Sequence, residues 1–107
     1  MILTSSAFPP EVDEFQAAGL NACKSDIVRS PRLLESPVNL ECRVQQILVF
    51  GEAPSLNYFV IGQVVIAHIQ DDIWANGKVD FAKITAIGRL GGDAYCRTRD
   101  IFEMKRP

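Results

Sequence analysis

Two long apolar runs dominate the middle of the chain. From Leu40 to Phe50 the residues alternate: Leu40, Cys42, Val44, Leu48 and Phe50 fall on one side, and Glu41, Arg43 and Gln45 on the other. Period-two alternation predicts a half-buried strand with its charged side toward water. The second run, Tyr58 to Gln70, is apolar on both sides, with Val60, Val64, Ile66 and His68 on one and Phe59, Ile61, Val65, Ala67 and Ile69 on the other. A strand apolar on both faces belongs in a barrel wall covered by a further layer, or in a subunit interface. Gly51, Pro54 and Asn57 punctuate the join, which predicts a hairpin with a somewhat long loop.

Outside this pair the pattern is weaker. Residues 1–8 carry no periodicity. Pro9 and Pro10, followed by Val12, Phe15 and Ala18 at helical spacing and then Gly19, predict a short helix with prolines at its start and glycine at its end. From Asn21 to Pro37 the chain is rich in Ser, Pro and Arg and reads as an extended crossing. Asp71 and Asp72 end the second long strand, Asn76-Gly77 makes a turn, and Asp80 caps a single helical turn from Phe81 to Ile84. Short strands are expected at Thr85 to Arg89, Ala94 to Arg97 and Ile101 to Met104. Short strands separated by turns suggest a small β-barrel rather than a parallel α/β sheet.

Composition narrows the function classes. With 107 residues, 48% apolar and 22% charged, the chain is the size of one soluble globular domain. A chain this short buries only about 65% of the surface its unfolded form exposes, so a partner subunit would add appreciably to its core. A formal charge of -2 argues against nucleic-acid binding, which needs a clustered basic surface. The longest apolar stretch, about a dozen residues, is too short for the roughly 20 that span a bilayer, so no membrane role is expected. Met1 to Ser6 lack the basic start of a secretory signal, which makes the cytoplasm the default location. Cys23, Cys42 and Cys96 are odd in number and form no CxxC or Cys/His cluster, as suits reduced thiols. Asp71, Asp72 and Asp80 lack the spacing of a calcium loop, and no metal site is expected.

The segment Gly88-Arg89-Leu90-Gly91-Gly92 lacks the GxGxxG spacing of a dinucleotide fingerprint. Its backbone can take positive φ at two successive positions and approach a ligand closely beside a guanidinium; equally, it can be a tight turn between barrel strands. Arg97 and Arg99 could join Arg89 at a phosphate, although Asp93, Asp100 and Glu103 stand near enough in sequence to cancel their charge. His68 is the single histidine, and a lone imidazole on a strand is most often structural. Tyr95, Phe102 and Trp74 can stack on a flat ring or simply pack.

The order of several blocks resembles the flavin reductase-like family of FMN-binding split barrels. The blocks are Val12 to Phe15 with Ala18 to Leu20, Pro31 to Leu33, Glu35 to Pro37 with Leu40 to Cys42, Ile61 to Val65 with His68-Ile69, Gly77 to Asp80, Gly88 to Gly92 with Tyr95, and finally Phe102, Met104, Arg106 and Pro107. Only the family's C-terminal portion is similar, and the earlier block of strands that in the family supplies many FMN contacts has no counterpart in these residues. The resemblance implies a mainly β, split-barrel domain over residues 1–107, incomplete at its N-terminal side and carrying short helices. It implies FMN as cofactor, NADH or NADPH as reductant, a homodimer, and flavin reduction in which the cofactor rather than a catalytic side chain does the chemistry. By position in the matching blocks, His68, Arg89, Gly91, Gly92, Tyr95 and Phe102 are the implied cofactor-binding residues. A non-catalytic flavin carrier, and a dimerising module without FMN, are the alternatives.

Overall fold

The computed structural model describes residues 3–107; Met1 and Ile2, which open the stretch read for targeting, lie outside the described residues. The fold is mainly β, with one short helix and single 3-10 turns, as the sequence predicts. The elements are helix α1 (Glu14–Ala18) and strands β1 (Ala22–Cys23), β2 (Arg32–Leu33), β3 (Val38–Phe50), β4 (Asn57–Ile69), β5 (Trp74–Ala75), β6 (Lys78–Val79), β7 (Ile87–Gly91) and β8 (Ala94–Arg97). They form two compact units that divide after His68. Among the described residues every sheet is two-stranded, pairing β1 with β2, β3 with β4, β5 with β6, and β7 with β8.

In the first unit, Pro9 to Val12 form a turn closed by the Val12 amide donating to the Pro9 carbonyl at 3.0 Å. The helix therefore starts at Glu14, later than the prolines suggest. Asp13 caps it by accepting from the Phe15 amide at 2.9 Å. Its end is a Schellman motif, in which the amides of Gly19 and Leu20 donate to the carbonyls of Gln16 and Phe15. Residues 21–37 carry no helix, and β1 and β2 pair antiparallel, Ala22 opposite Leu33 and Cys23 opposite Arg32. The long hairpin β3–β4 matches the two apolar runs, and Gln45 donates to Gln63 across it at 2.9 Å.

One expectation is reversed. Glu41, read as water-facing, is 2% exposed, whereas Leu40 and Val44, read as core-facing, are exposed. The cause lies outside the strand: residues 25–28 fold over Glu41 and consume its charge in hydrogen bonds, a benefit that apolar periodicity cannot register. Both faces of β4 are apolar as read, yet Tyr58, Phe59, Val60, Ile61 and Val64 are all exposed. Nothing in the described chain supplies the covering layer. The buried residues among those described are Ile73, Ser25 and Glu41, so two of the three are polar.

The second unit begins with a 3-10 turn at Asp71–Ile73, which sets Ile73 inside. Asn76 and Gly77 turn β5 back onto β6, and Asp80 caps the turn Phe81–Lys83 by accepting from the Ala82 amide at 3.1 Å. Strand β7 runs to Gly91, slightly beyond its expected end, and β8 matches its predicted limits. No strand forms at Ile101 to Met104: that stretch has no partner backbone to complete a ladder, and its side chains are exposed. Among the described residues no helix is long and apolar enough to cross a membrane.

The β7–β8 bend places two glycines in different parts of φ space, Gly91 at 144° and Gly92 at 52°, with open space where a Cβ would sit. Only backbone strain separates the two sites. Asparagine tolerates the left-handed region at Gly92, whereas the Gly91 conformation suits glycine alone. Gly91→Asn is expected to cost about 2 kcal/mol and Gly92→Asn less than about 1 kcal/mol. Urea unfolding checks this; equal or reversed costs would contradict the assignment.

Candidate functional site

The first unit is organised around one carboxylate. Glu41 leaves β3 beneath residues 26–28, whose successive amides converge on it. Its Oε1 accepts from the Asp26 amide at 2.8 Å, and its Oε2 from the amides of Ile27 and Val28 at 2.7 and 3.0 Å. His68, at the far end of β4, brings Nε2 to 2.7 Å from Oε1, and Arg32 Nε stands 3.8 Å from the same oxygen. Burial alone would push the Glu41 carboxyl upward; the amides of Asp26 and Ile27, then His68 and Val28, outweigh it and hold the group down at about 2. An ionised carboxylate only accepts, so His68 Nε2 carries the hydrogen and Nδ1 is the ring atom left without a partner among the described residues.

Asp26, Glu41 and His68 bring possible metal-ligand atoms within 4.8 Å of one another. Each Glu41 oxygen already receives two donors, however, which saturates its lone pairs. The cluster therefore holds a loop rather than an ion. Its surroundings follow the same logic of side chains closing irregular backbone. Arg32 donates to the Lys24 carbonyl at 2.9 Å, Ser25 to the Ser30 carbonyl, and Asn39 exchanges hydrogen bonds with both backbone groups of Leu33. Glu35 takes the Asn21 amide at 3.0 Å and its side chain at 2.7 Å, and its carboxyl lies below the ordinary range, chiefly through a bond to its own backbone. A groove of about 340 Å³ opens beside Glu41 and Arg32, walled by Phe15, Val28, Pro31 and Leu33.

In the second unit the antiparallel ladder sets Ile87 opposite Arg97, Gly88 opposite Cys96, Arg89 opposite Tyr95, and Gly91 opposite Ala94. Opposed residues share a face, so Arg89, Tyr95 and Arg97 project together while Gly88 and Cys96 project the other way. The bulge between Arg89 and Gly91 sits next to this group. Gly88 is fitted to its partner: a Cβ there would lie 3.0 Å from Cys96 Sγ. Of the residues singled out from sequence, the hairpin thus unites Arg89, Gly91, Gly92 and Tyr95. His68 belongs to the first unit, in the Glu41 cluster, and Phe102 lies in the irregular tail, 75% exposed. Trp74 sits in β5, opposite Val79.

Sequence reasoning missed Glu41, Arg32 and the amides of residues 26–28. The available signal was the pairing of a carboxylate on one long strand with the single histidine on the next. Arg97 and Arg99 are exposed, their side chains form no ion pair or hydrogen bond with another described residue, and both line a concavity with Thr85, Ala86 and Ile87.

No family profile matches the chain. Uncharacterized proteins are similar to it, one from Halalkalibacterium halodurans at 33% identity over 98% of the chain and 51% of the relative, and one from Aquifex aeolicus at 34% over 91% and 48%. The chain spans about half the length of these curated relatives. Among solved structures, nitrilotriacetate monooxygenase component B from Bacillus cereus superposes with a TM-score of 0.86 at 24% identity, over 96% of this chain and 52% of that one. The 2-nitrobenzoate 2-nitroreductase of Pseudomonas fluorescens gives 0.82 at 27%, over 100% and 52%. A protein described as a flavin reductase with a split barrel domain, from Shewanella frigidimarina, gives 0.79 at 21%, over 97% and 52%. Across its length the chain has the fold of these split-barrel structures and corresponds to about half of each.

The Glu41 cluster predicts a specific acid response. Its folded value of about 2 lies below the ordinary 4.5, so ionised Glu41 favours the folded state. That contribution is complete above about pH 4.5 and is lost as pH falls toward 2. Glu41→Gln, which replaces one of the two acceptor oxygens by an amide NH2 facing backbone or ring donors, is expected to lower the urea midpoint at neutral pH and to flatten the midpoint's fall across that window. An unchanged acid limb would contradict the role given to Glu41.

Proposed function

We propose that the chain is part of a flavin reductase-like split-barrel domain that binds FMN and supports its reduction by NADH or NADPH. The observation that carries this reading is the superposition of nearly the whole chain, both units included, on proteins whose descriptions name a flavin reductase, a nitroreductase and a monooxygenase component. The residues present suit the group. Arg89 offers a forked donor without an internal partner, Tyr95 beside it offers a partly exposed aromatic face, and the Gly91–Gly92 bend leaves open space for a close approach. His68, held by Glu41, offers Nδ1 as a fixed polar contact, and Phe102 offers an exposed ring.

When bound, FMN supplies the two-electron acceptor for the hydride of reduced nicotinamide. The chain's own contribution is positional: Glu41 fixes the His68 ring, and the β7–β8 ladder fixes Arg89 against Tyr95. The reading also takes residues 1–107 as one contributor to a single barrel and places the protein in the cytoplasm. It further takes the apolar, exposed faces of β3–β4 as the seat of a homodimer, since patches of this kind mark association surfaces.

FMN titration followed by flavin absorbance and fluorescence tests the reading. The chain is expected to bind saturably, and Arg89→Ala or Tyr95→Ala to weaken binding about tenfold, the equivalent of about 1.4 kcal/mol. Absence of binding at high micromolar FMN would refute it. Anaerobic NADH or NADPH oxidation by the loaded protein is expected, and its absence despite binding would favour a flavin carrier. Light scattering should give a dimer mass; a monomer at high concentration would remove the homodimer from the account.

A further inference from the structure

The concavity on the second unit's hairpin has a chemistry that the flavin reading does not use. It occupies about 210 Å³ and is lined by Thr85, Ala86, Ile87, Arg97 and Arg99. Two constraints create it. The Thr98 amide and hydroxyl both donate to the Ala86 carbonyl at 3.1 Å, which extends the pairing one step past Arg97 and pins Thr98. Alternation sends Arg97, the last residue of β8, to the face opposite Cys96, and Arg99, in the turn that follows the strand, lines the same concavity. Two arginines thus line one concavity in a chain whose net charge is -2.

Like charges at one site repel, and here no internal acid offsets them: the ion pairs of the described residues involve Arg32, His68 and Lys83 only. Between Thr85 and Arg99 the three arginines face the single acid Asp93, which sits in the turn at the opposite end of the ladder. A pair of unpaired guanidiniums presents forked N–H donors that match the oxygens of a phosphate group. Beside it, sharing Ala86, lies a second concavity of about 400 Å³ walled by Phe81, Ile84, Thr98 and Ile101, which is almost wholly apolar and suits a planar ring.

We propose that Arg97 and Arg99 form a binding site for the phosphate of a nucleotide cofactor, with Ala86 marking the junction between its phosphate and its ring. The identity of that nucleotide, FMN or a nicotinamide dinucleotide, rests on the function proposed above; the anion site itself rests on the two arginines.

The test is a pyrophosphate titration of the whole chain, observed by NMR at the Arg97 and Arg99 Nε–H signals and the amides of Thr85, Ala86 and Ile87. Saturable shifts are expected there. Affinity should fall about tenfold or more in R97Q/R99Q, fall less in R97K/R99K, which keeps charge but loses the fork, and stay unchanged in R29Q in the first unit. Shifts that never saturate, or that survive in R97Q/R99Q, overturn the site, and the lysine pair carries the comparison if the glutamine pair fails to fold. Displacement of pyrophosphate by FMN but not riboflavin identifies the flavin phosphate, and displacement by NADPH identifies the dinucleotide. Failure of both nucleotides to displace it overturns the cofactor assignment. Displacement by NADPH without any FMN binding sinks the flavin function and leaves the phosphate site standing.

Discussion

A single ionised carboxylate organises the first unit. Residues 24–31 make no ladder, yet their backbone groups must find partners, and Glu41 supplies four acceptor positions for three successive amides and the His68 ring. The same contacts fasten the start of β3 to the end of β4, so the longest hairpin is tied at its base by a polar knot rather than an apolar core. Among the described residues hardly any apolar side chain is buried, which makes this knot the principal local constraint on the unit.

The scarcity of buried apolar surface has a counterpart in the comparisons. The chain matches about half of each curated relative and half of each split-barrel structure, and its two long strands show apolar residues on both faces without cover. Its polar contacts are mostly local, from the Asp13 cap through the Glu41 cluster to the Asp80 cap and the Thr98–Ala86 pair.

Much of the element order was legible in the sequence because it rests on local chemistry. Gly19 ends the helix, Asn76-Gly77 makes its turn, Asp80 caps its 3-10 turn, and Ala94 to Arg97 form their strand. The misreadings share a different cause. Glu41 was assigned to water because alternation weighs polarity and cannot see a loop returning from 13 to 15 residues earlier. Ile101 to Met104 had strand composition but no neighbouring backbone with which to pair. The hairpin group of Arg89, Gly91, Gly92 and Tyr95 was found through resemblance, and the ladder register explains why those residues share one place. His68 was found the same way, but its tie to Glu41 was visible only in three dimensions.

On the function proposed above, the β7–β8 hairpin carries part of a flavin site. Amide chemical shifts of the whole chain with and without FMN test it most directly. Saturable shifts are expected at Arg89, Gly91, Gly92 and Tyr95, with smaller ones around His68. Saturable FMN binding that leaves all of these signals unmoved would contradict it.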